Sequence, residues 1–263
     1  MDYKNKYIEY KKKYLELKKQ TAGAETASKV KYVLPNSADV IDKYKEIMET
    51  KDFTLPQITN QLSQSPILIL DNFIEPRDCD QLIESAEAEG RFKISKITRN
   101  AIVDTSIRSS ESFVFEKSEN PIVTKIENKV CQVLNLSTDK VERLQVTKYN
   151  KHNFFTKHYD FSAQNENKDK YSNNDRVHTI IVYLNDLDEV DGGATYFHNH
   201  KIRVYPFKGR GIYFTNKYPN TEETQYYTNI QGYNPNYNLM SLHQGEPVLT
   251  DKIKYVMNIW IRE

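Results

Sequence analysis

From about residue 92 to the C-terminus the sequence consists mainly of short runs of β-type residues, separated by turns that contain Gly, Asn and Asp. One helical pattern, near 120–134, interrupts these runs. Many short strands with turn residues between them are typical of a sandwich or a barrel, and the jelly roll is one such double-sheet form. The sequence therefore predicts a mainly β fold, with strands near 92–98, 101–104, 112–116, 144–149, 154–160, 177–184, 194–197, 202–206, 211–215, 247–250 and 254–261.

The first 19 residues differ from the rest of the chain, because they carry an amphipathic helical pattern rich in lysine and tyrosine. Tyrosines and one leucine recur at alternating spacings of four and three residues, which is an a/d stripe, and lysines fill most of the other face. Such a helix either docks its tyrosines on the body of the protein or mediates self-association or partner binding. The stripe consists of Tyr3, Tyr7, Tyr10, Tyr14 and Leu17.

The sequence divides into three segments. Residues 1–19 form the predicted N-terminal helix, and residues 20–56 are predicted as a linker followed by a short helix. Residues 57–263 form the main domain, in which Pro76 and Gly90 bound a predicted helix ahead of the β-rich part. The predicted fold class is therefore α+β, mainly β, with supporting helices and an N-terminal helical extension.

Composition and charge exclude several classes of protein. The 37 Lys and Arg residues against 36 Asp and Glu leave a formal net charge of +1, which argues against a nucleic-acid binder that relies on bulk electrostatics. The two cysteines, Cys79 and Cys131, cannot supply a disulfide framework or a cysteine zinc cluster. The longest apolar runs, at 67–70 and 180–184, are too short to cross a bilayer, and the N-terminus lacks the apolar stretch of a signal peptide. We therefore expect a soluble, cytoplasmic protein with no nucleic-acid partner and no membrane partner.

The segment His158-Tyr159-Asp160 places a histidine and an aspartate two residues apart within a predicted strand. Residues i and i+2 of a strand point to the same face, so both side chains can bind one metal ion. His243, at the entry to a late apolar run, is the natural third ligand. Two histidines and one carboxylate form the facial triad of non-haem Fe(II) oxygenases, which leaves positions open for a cosubstrate and O₂. The same ligands also suit catalytic zinc.

A lysine on the last predicted strand points to the nature of the cosubstrate. Alternate residues of this strand share one face, and on that face lie Lys254, Val256, Asn258 and Trp260. An inward-facing lysine beside a metal is costly unless it meets an anion, and a dicarboxylate that also chelates the metal would meet that need. A lysine that snorkels off the strand surface is the alternative. Lys252 shares the face of Lys254, so spacing alone does not decide between the two.

Ten motifs follow one another in order from about Pro66 to the C-terminus and cover most of this part of the chain. They are LDNFIEPRDCDQLI, RSS, ENPIVTKI, LQVTKYN, FTKHYDF, NDRVHTIIVYLND, GGATYF, YPFKGRGIYF, HQGEPVL and KYVMNIW. In these motifs the chain resembles the catalytic domain of the collagen-type prolyl 4-hydroxylases, in the Fe(II)/2-oxoglutarate dioxygenase superfamily. This resemblance is far more specific than the three candidate metal ligands alone.

The resemblance implies a fold and a set of catalytic residues. The fold is a double-stranded β-helix, or jelly-roll core, with helices on one side. The implied ligands of Fe(II) are His158, Asp160 and His243, and Lys254 is implied to pair with the distal carboxylate of 2-oxoglutarate.

Further positions match cosubstrate residues of the family. Tyr149 matches a tyrosine that hydrogen-bonds the same carboxylate, and Thr195 is placed similarly. Trp260 matches a tryptophan that lines the site. The resemblance also implies O₂ as a substrate and ascorbate as the reductant that restores oxidised iron.

Six residues are expected near the substrate. Four of them match family positions near the peptide groove, namely Arg108, Ser110, Glu142 and Arg176. The other two depart from the family pattern, because Phe155 stands where the family usually has Tyr and Arg262 stands where it usually has His. Both departures lie near the expected position of the substrate peptide.

The implied reaction is the hydroxylation of peptidyl proline to 4-hydroxyproline, with release of succinate and CO₂, and the implied partner is a proline-containing protein or peptide. Because of Phe155 and Arg262, the same chemistry on another protein side chain or on a free amino acid remains an alternative. A metal-bound jelly-roll binding module without turnover is the alternative of a different class. A nucleic-acid dealkylating oxygenase is disfavoured, because such enzymes usually bind the oxo acid with arginine and this chain is not basic.

Two further features leave alternatives open. His198 and His200 follow the GGAT strand and could bind a second metal, but no carboxylate or third histidine lies beside them in sequence, and ordinary loop histidines are the alternative. The segment 216–240 is rich in Tyr and Asn and is predicted as a long loop. It is either a lid over the peptide groove or a surface loop of biased composition.

Overall fold

A computed structural model describes most of the main domain and one short segment before it. The described residues are 30–33, 67–88, 90–97, 102–161, 175–217 and 237–262, and for 30–33 only the backbone is described. The helix predicted over 1–19, the short helix predicted within 20–56 and most of the loop 216–240 lie outside these residues. Within the described ranges, no helix has the length and apolar character that a membrane crossing requires.

The described residues contain twelve strands, two α-helices and three short 3₁₀ helices. The strands are β1 (Val30–Val33), β2 (Leu68–Leu70), β3 (Lys93–Ile94), β4 (Glu111–Val114), β5 (Gln145–Tyr149), β6 (Phe155–His158), β7 (Arg176–Tyr183), β8 (Thr195–Phe197), β9 (Ile202–Val204), β10 (Gly211–Thr215), β11 (His243–Gly245) and β12 (Lys254–Arg262). The α-helices are α1 (Pro76–Glu87) and α2 (Pro121–Leu134), and the 3₁₀ helices span Thr138–Lys140, Glu189–Asp191 and Leu239–Ser241.

The strands form two antiparallel sheets. The larger sheet has the order β1-β2-β10-β7-β12-β5-β4-β3, and the smaller sheet has the order β6-β11-β8-β9. Two antiparallel sheets with few helices confirm the prediction of a mainly β fold.

The two faces of the larger sheet pack against different layers, as alternation along β7 shows. Ile180 and Val182 belong to a core that the sheet shares with α1 and α2. Ile181 and Tyr183 belong to a second core, which the sheet shares with β8 and β9 of the smaller sheet. Successive strand residues point to opposite faces, so one apolar strand serves both cores. Side chains on the Ile181 face are therefore directed between the two sheets.

Local sequence signals explain why α2 begins and ends where it does. The Asn120 side chain accepts hydrogen bonds from the N–H groups of Ile122 and Val123, at 3.0 and 2.9 Å. Pro121 occupies the first turn, where its missing N–H costs nothing. The helix ends at Asn135, which adopts a φ of 53°, a left-handed conformation that asparagine tolerates well.

Two expectations about the first half of the chain need correction. The segment 20–56 was expected to contain only a linker and a short helix, but Val30–Val33 forms an edge strand antiparallel to β2. The strand expected at 101–104 is absent from its described residues. Instead the Asp104 carboxylate accepts hydrogen bonds from the Ser106 N–H and hydroxyl, at 2.9 and 2.6 Å, and this turn replaces the strand.

The strand expected at 247–250 is also wrong, because its backbone bonds to loops instead of a strand ladder. The N–H of Val248 donates to the Asn153 carbonyl, and the N–H of Leu249 donates to the Asp191 carbonyl. The strand that does form lies a few residues earlier, as β11 (His243–Gly245).

Candidate active site

The three candidate metal ligands converge on one point of the smaller sheet. His158 ends β6, Asp160 follows it by two residues, and His243 begins β11. The antiparallel pairing of β6 and β11 places His243 directly opposite His158. The Nε2 atom of His158 is 3.8 Å from Asp160 Oδ1, and the Nε2 atom of His243 is 4.0 Å from Asp160 Oδ2. Their ligand atoms all lie within 4.8 Å of one another, so one metal ion can contact all three side chains.

Hydrogen bonds hold the two imidazoles in the orientation that a metal requires. The Nδ1 atom of His158 is 2.7 Å from the Thr156 carbonyl oxygen, and the Nδ1 atom of His243 is 2.8 Å from the Ser241 carbonyl oxygen. A carbonyl can only accept, so Nδ1 carries the proton in each ring, and in the neutral form of the imidazole the lone pair is on Nε2. Both Nε2 atoms are the ones nearest the Asp160 carboxylate.

The Asp160 carboxylate is held from the larger sheet. The Thr179 hydroxyl on β7 donates to Asp160 Oδ2 at 2.8 Å, and the Asn216 side-chain amide donates to the Thr179 oxygen at 2.9 Å. This chain of two hydrogen bonds fixes the carboxylate without using Oδ1. Such bonds to ligand side chains orient them and support metal affinity.

The electrostatics of the group favour a neutral imidazole and an ionised carboxylate. Burial, together with the nearby His243, lowers the pKa of His158 to about 3. Burial by itself would raise the pKa of Asp160, but His243, His158 and Arg176 together hold it below its ordinary value. One ionised carboxylate with an imidazole whose lone pair is available is a donor set that suits Fe(II) and also zinc.

Lys254 lies in the same pocket, at the start of β12. Only 2 % of the residue is exposed, and its ammonium nitrogen is 4.8 Å from the ring centroid of Tyr149 and 5.6 Å from that of Tyr183. No carboxylate in the described part of the chain forms an ion pair with it, and burial lowers its pKa to about 7. A buried ammonium without an ion-pair partner destabilises the folded protein unless an anion binds beside it.

The structure separates Lys254 from the other candidate lysine. The Lys252 ammonium lies 2.7 Å from Asp191 Oδ2, and its side chain is about half exposed. Lys252 therefore has a protein carboxylate as its partner, whereas Lys254 points into the pocket. The choice between the two lysines, which sequence spacing left open, is therefore decided by the ion pair of Lys252 with Asp191, a residue 61 positions earlier in the chain.

The pocket is lined by polar groups, aromatic rings and one arginine. The alternating face expected on β12 is present, because Lys254, Val256, Asn258 and Trp260 all line the pocket. The complete lining is Arg108, Tyr149, Phe155, His158, Asp160, Ile181, Thr195, His243, Gly245, Lys254, Val256, Asn258 and Trp260.

Tyr149 and Thr195, which were predicted as cosubstrate residues, line the pocket that also contains Lys254. Tyr149 is directly opposite Lys254 in the pairing of β5 with β12. Burial raises the pKa of Tyr149, although nearby Arg108 opposes the change, so its hydroxyl keeps a proton to donate. The Thr195 oxygen is 2.7 Å from the hydroxyl of Tyr183, a fully buried residue behind the pocket wall.

One wall of the pocket is a stack of aromatic and cationic groups. The Phe155 ring lies parallel to the His158 imidazole, with centroids 3.6 Å apart, and the Arg108 guanidinium is 4.7 Å from the Phe155 centroid. Arg108 is 5 % exposed and donates to neutral oxygens, including Ser110 at 3.0 Å and Thr147 at 3.2 Å. Burial lowers the pKa of this guanidinium.

A second cluster joins the outer end of β12 to β7. Glu142 accepts two hydrogen bonds from Arg176, at 2.7 and 3.0 Å, and forms an ion pair with Arg262 at 2.7 Å. The Arg176 guanidinium also lies 3.7 Å from the centroid of the Trp260 ring, which places it in cation–π contact. Four of the expected site residues therefore form one connected cluster beside the pocket.

Residues 144–262, which contain every candidate metal ligand and Lys254, match the sequence model of the 2OG-Fe(II) oxygenase superfamily. This part of the chain is a 2OG-Fe(II) oxygenase domain. The two antiparallel sheets of the domain agree with the jelly-roll fold of this superfamily.

Curated relatives of the oxygenase domain include prolyl 4-hydroxylases. A putative prolyl 4-hydroxylase of Acanthamoeba polyphaga mimivirus is 26% identical over 215 residues, which cover 81% of this chain and 79% of that protein. Prolyl 4-hydroxylase 1 of Arabidopsis thaliana is 30% identical over 157 residues, 56% of this chain and 53% of that protein. The chicken prolyl 4-hydroxylase subunit alpha-2 is 26% identical over 189 residues, and the match spans 70% of this chain but only 32% of the subunit.

Solved structures show the same fold. The viral collagen prolyl hydroxylase of Paramecium bursaria Chlorella virus-1, in complex with 2OG, is 28% identical with a TM-score of 0.57, covering 74% of this chain and 95% of that one. A Trichoplax adhaerens prolyl hydroxylase, in complex with a hypoxia inducible factor peptide fragment, has a TM-score of 0.58 at 15% identity, covering 86% and 94%. The second likeness concerns the fold alone.

The sequence did not point to Thr179 or Ile181, which contribute to the site of the oxygenase domain from β7. Their signal is the two-residue alternation of β7, in which residues 179, 181 and 183 share the face between the sheets. His178, on the other face, is 3.0 Å from the Tyr213 hydroxyl, and burial lowers its pKa to about 4.

The second metal site considered at His198 and His200 finds no support. The Nε2 atom of His198 is 3.0 Å from the Gln244 side-chain oxygen. Throughout the described ranges, the group formed by His158, Asp160 and His243 is the one cluster of His, Cys, Asp and Glu with metal-ligand spacing.

Proposed function

We propose that this chain is a 2-oxoglutarate-dependent dioxygenase that hydroxylates peptidyl proline to 4-hydroxyproline and releases succinate and CO₂. The observation that carries the proposal is the convergence of three candidate metal ligands and a buried lysine on one pocket. The superfamily match and the prolyl 4-hydroxylases among the relatives support it. A binding module without turnover would need no buried cation beside its metal, so the enzyme is favoured over that alternative.

His158, Asp160 and His243 are the proposed ligands of Fe(II). The fit rests on the donor set, because both imidazoles direct Nε2 to the Asp160 side and the carboxylate is ionised. When bound, Fe(II) supplies the redox chemistry that couples oxidative decarboxylation of 2-oxoglutarate to the transfer of one oxygen atom of O₂ to proline C4. Three protein ligands on one side leave the other side to the substrates.

Lys254, Tyr149 and Thr195 are proposed to bind the distal carboxylate of 2-oxoglutarate. The ammonium of Lys254 donates a charge-assisted hydrogen bond to this carboxylate. The negative charge of the carboxylate in turn stabilises the ammonium, which burial alone destabilises. The two hydroxyl groups hold the carboxylate in orientation, and Trp260 lines the same pocket. The apolar side chains of the wall limit the access of water to the reacting groups.

The substrate is proposed to be a proline-containing protein or peptide, bound where the pocket opens. The proposed substrate-binding residues belong to the two clusters beside the pocket, and they are Arg108, Ser110, Glu142, Phe155, Arg176 and Arg262. Ascorbate is proposed as a further cofactor, which returns iron to the ferrous state after uncoupled turnover. The cytoplasmic location and self-association through residues 1–19 stay predictions.

The experiment that tests the proposal measures succinate release from 2-oxoglutarate with Fe(II), O₂ and ascorbate, with and without proline-rich peptides. We expect the peptides to raise turnover in the wild type and to gain one oxygen atom at proline, whereas His243→Ala is expected to be inactive. Metal-dependent turnover that is indifferent to proline peptides would contradict the prolyl assignment and favour another side chain or a free amino acid. A wild type no more active than His243→Ala would contradict the oxygenase assignment itself.

A further inference from the structure

The hydroxyl group of Tyr183 lies behind the pocket wall, where it meets the Thr195 side chain. The Tyr183 oxygen is 2.7 Å from Thr195 Oγ1 and 2.6 Å from the Val204 carbonyl oxygen, and it accepts a longer hydrogen bond of 3.2 Å from the Thr195 N–H. Tyr183 is fully buried, and the Lys254 ammonium is 5.6 Å from its ring centroid. Thr195 lines the pocket, so the tyrosine hydroxyl contacts a proposed cosubstrate residue from the protein side.

A phenol has one hydrogen to donate, so Tyr183 cannot donate fully to both of its close neighbours at once. In one arrangement Tyr183 donates to the Val204 carbonyl alone, and Thr195 Oγ1 receives no hydrogen bond from the tyrosine. In the other arrangement Tyr183 donates to Thr195 Oγ1, and the hydrogen of Thr195 is directed elsewhere. In the second arrangement the hydrogen bond from Tyr183 occupies a lone pair of Thr195 Oγ1 and leaves the O–H to point into the pocket, whereas in the first arrangement that lone pair is free to face the pocket.

The second arrangement is the one that suits an anion in the pocket. An ionised carboxylate only accepts hydrogen bonds, so a lone pair on Thr195 repels it and an O–H group binds it. The ammonium of Lys254 attracts the carboxylate to this end of the pocket. A dicarboxylate ligand therefore selects the arrangement in which Tyr183 donates to Thr195.

We propose that Tyr183 is a positioning residue that holds the Thr195 hydroxyl as a donor to the distal carboxylate of 2-oxoglutarate. The inference rests on the proposed function, because it takes 2-oxoglutarate as the ligand of this pocket. Tyr183 is not part of the pocket lining, and the ring that faces Lys254 is kept in Tyr183→Phe, so the effect of the hydroxyl passes through Thr195. A positioning role therefore predicts that the losses of cosubstrate affinity caused by substituting Tyr183 and Thr195 are not additive. A general contribution of Tyr183 to folding makes no such prediction.

The test is a double-mutant cycle between Tyr183→Phe and Thr195→Val. The readout is the dissociation constant of 2-oxoglutarate, measured by calorimetry on the full chain with Fe(II) under anaerobic conditions. Each single variant is expected to bind about tenfold more weakly, because each removes a hydrogen bond that serves a charged group. The double variant is expected to bind no more weakly than Thr195→Val alone. In turnover, Tyr183→Phe is expected to raise KM for 2-oxoglutarate while kcat changes by less than about twofold.

Two further variants control for folding. Tyr213→Phe removes another buried tyrosine hydroxyl, one that is directed to His178 in the other core, and it is expected to leave the affinity for 2-oxoglutarate unchanged. Thr195→Ser keeps the hydroxyl and is expected to bind at least about fivefold more tightly than Thr195→Val. Equal affinity of these two Thr195 variants would overturn the proposal even if Tyr183→Phe failed to fold.

Additive losses in the cycle, or wild-type affinity in Tyr183→Phe, would overturn the positioning role and leave the proposed function intact. A wild-type chain that does not bind 2-oxoglutarate at all would overturn both. The two failures are therefore distinguishable in one set of titrations.

Discussion

Lys254 lies directly opposite Tyr149 in the antiparallel pairing of β12 with β5, and its ammonium is 4.8 Å from the centroid of the tyrosine ring. The register of two central strands thus places a cation and a phenol at one end of the pocket. The three candidate metal ligands line the same pocket, with two of them on strands of the smaller sheet. A ligand that extends from the metal group to this lysine must be chelating at one end and anionic at the other, which describes 2-oxoglutarate.

Replacing Lys254 with methionine is expected to separate stability from cosubstrate binding. The variant removes a buried ammonium that lacks a carboxylate partner, so the unliganded protein is expected to be as stable as the wild type or more stable. Its affinity for 2-oxoglutarate is expected to fall by about 100-fold, because a charge-assisted hydrogen bond is lost. Thermal unfolding with and without 2-oxoglutarate measures both effects.

The matched control for that variant is Lys252→Met. It removes the same charge two residues earlier, just before β12 begins. There the ammonium pairs with Asp191 and the side chain is about half exposed. Its affinity for 2-oxoglutarate is expected to equal that of the wild type. A comparable loss of affinity in both variants would contradict the assignment of Lys254.

Binding of 2-oxoglutarate is expected to take up a proton above about pH 7. Burial lowers the pKa of Lys254 to about 7, so the ammonium is already charged below this pH and no proton is exchanged. Above it, the free protein holds a neutral amine that gains a proton with the dicarboxylate, and apparent affinity falls by up to about tenfold per pH unit. Calorimetry near pH 8 in two buffers of different ionisation enthalpy measures the uptake, and a value of zero would contradict the prediction.

The lowered pKa of Lys254 also predicts how the stability of the unliganded protein depends on pH. The folded-state pKa of about 7 lies below the value of about 10.4 for an unperturbed lysine. Between these values the unfolded chain binds the extra proton, so this group makes the free energy of unfolding rise with pH across the window. Lys254→Met is expected to lose this rise, which chemical denaturation at several pH values measures.

Thr179→Val is expected to weaken metal binding although Thr179 is not a metal ligand. The variant removes the hydroxyl that donates to Asp160 Oδ2 at 2.8 Å, so the carboxylate loses its orientation. Loss of such a supporting bond typically costs about 10–100-fold in metal affinity. Competition with a chelator measures the affinity. Thr179→Ser keeps the hydroxyl and is expected to retain most of it, whereas equal losses in both variants would show that the hydrogen bond is not the cause.

Glu142→Gln is expected to impair peptide use without impairing cosubstrate use. The Glu142 carboxylate accepts hydrogen bonds from Arg176 and forms an ion pair with Arg262, and the Arg176 guanidinium packs on Trp260. Loss of this negative charge therefore loosens the whole cluster beside the pocket. We expect KM for a proline-rich peptide to rise by about tenfold and KM for 2-oxoglutarate to change by less than about twofold. Steady-state kinetics with each substrate varied in turn measures the two effects.

A surface ion pair provides the control for Glu142. Glu116 lies 2.7 Å from Arg143, and both side chains are largely exposed. Glu116→Gln is expected to change stability by less than about 1 kcal/mol and both KM values not at all. If Glu142→Gln behaved like Glu116→Gln, the proposed role of the cluster in peptide binding would fail.

The sequence correctly predicted those helices and strand faces that depend on interactions between neighbouring residues. Asn120 and Pro121 start α2 as their chemistry requires, and the alternation of β12 correctly placed Lys254 and Trp260 on one face. The pair His158 and Asp160 could be recognised because a histidine and an aspartate two residues apart can bind one metal, although β6 ends at His158 and Asp160 lies beyond the strand. In each case the physical cause spans only a few neighbouring residues.

The failures concern contacts between residues distant in sequence. The three-residue strand β11 ends in Gly245 and has no alternation to reveal it, so the pairing with β6 alone defines it. The choice between Lys252 and Lys254 depends on Asp191, and the support of Asp160 depends on Thr179. Periodicity does not contain such information, because register and tertiary packing bring these side chains together.

The most direct test of the central claim is the fate of isotopically heavy O₂ in a reaction with a proline-rich peptide and 2-oxoglutarate. The account predicts that one heavy oxygen atom enters the peptide at C4 of proline and that the other enters succinate, in equal amounts, and that His243→Ala produces neither. Heavy oxygen in succinate with none on any proline peptide would contradict the prolyl hydroxylase assignment. Heavy oxygen in neither product would contradict the oxygenase chemistry of this pocket.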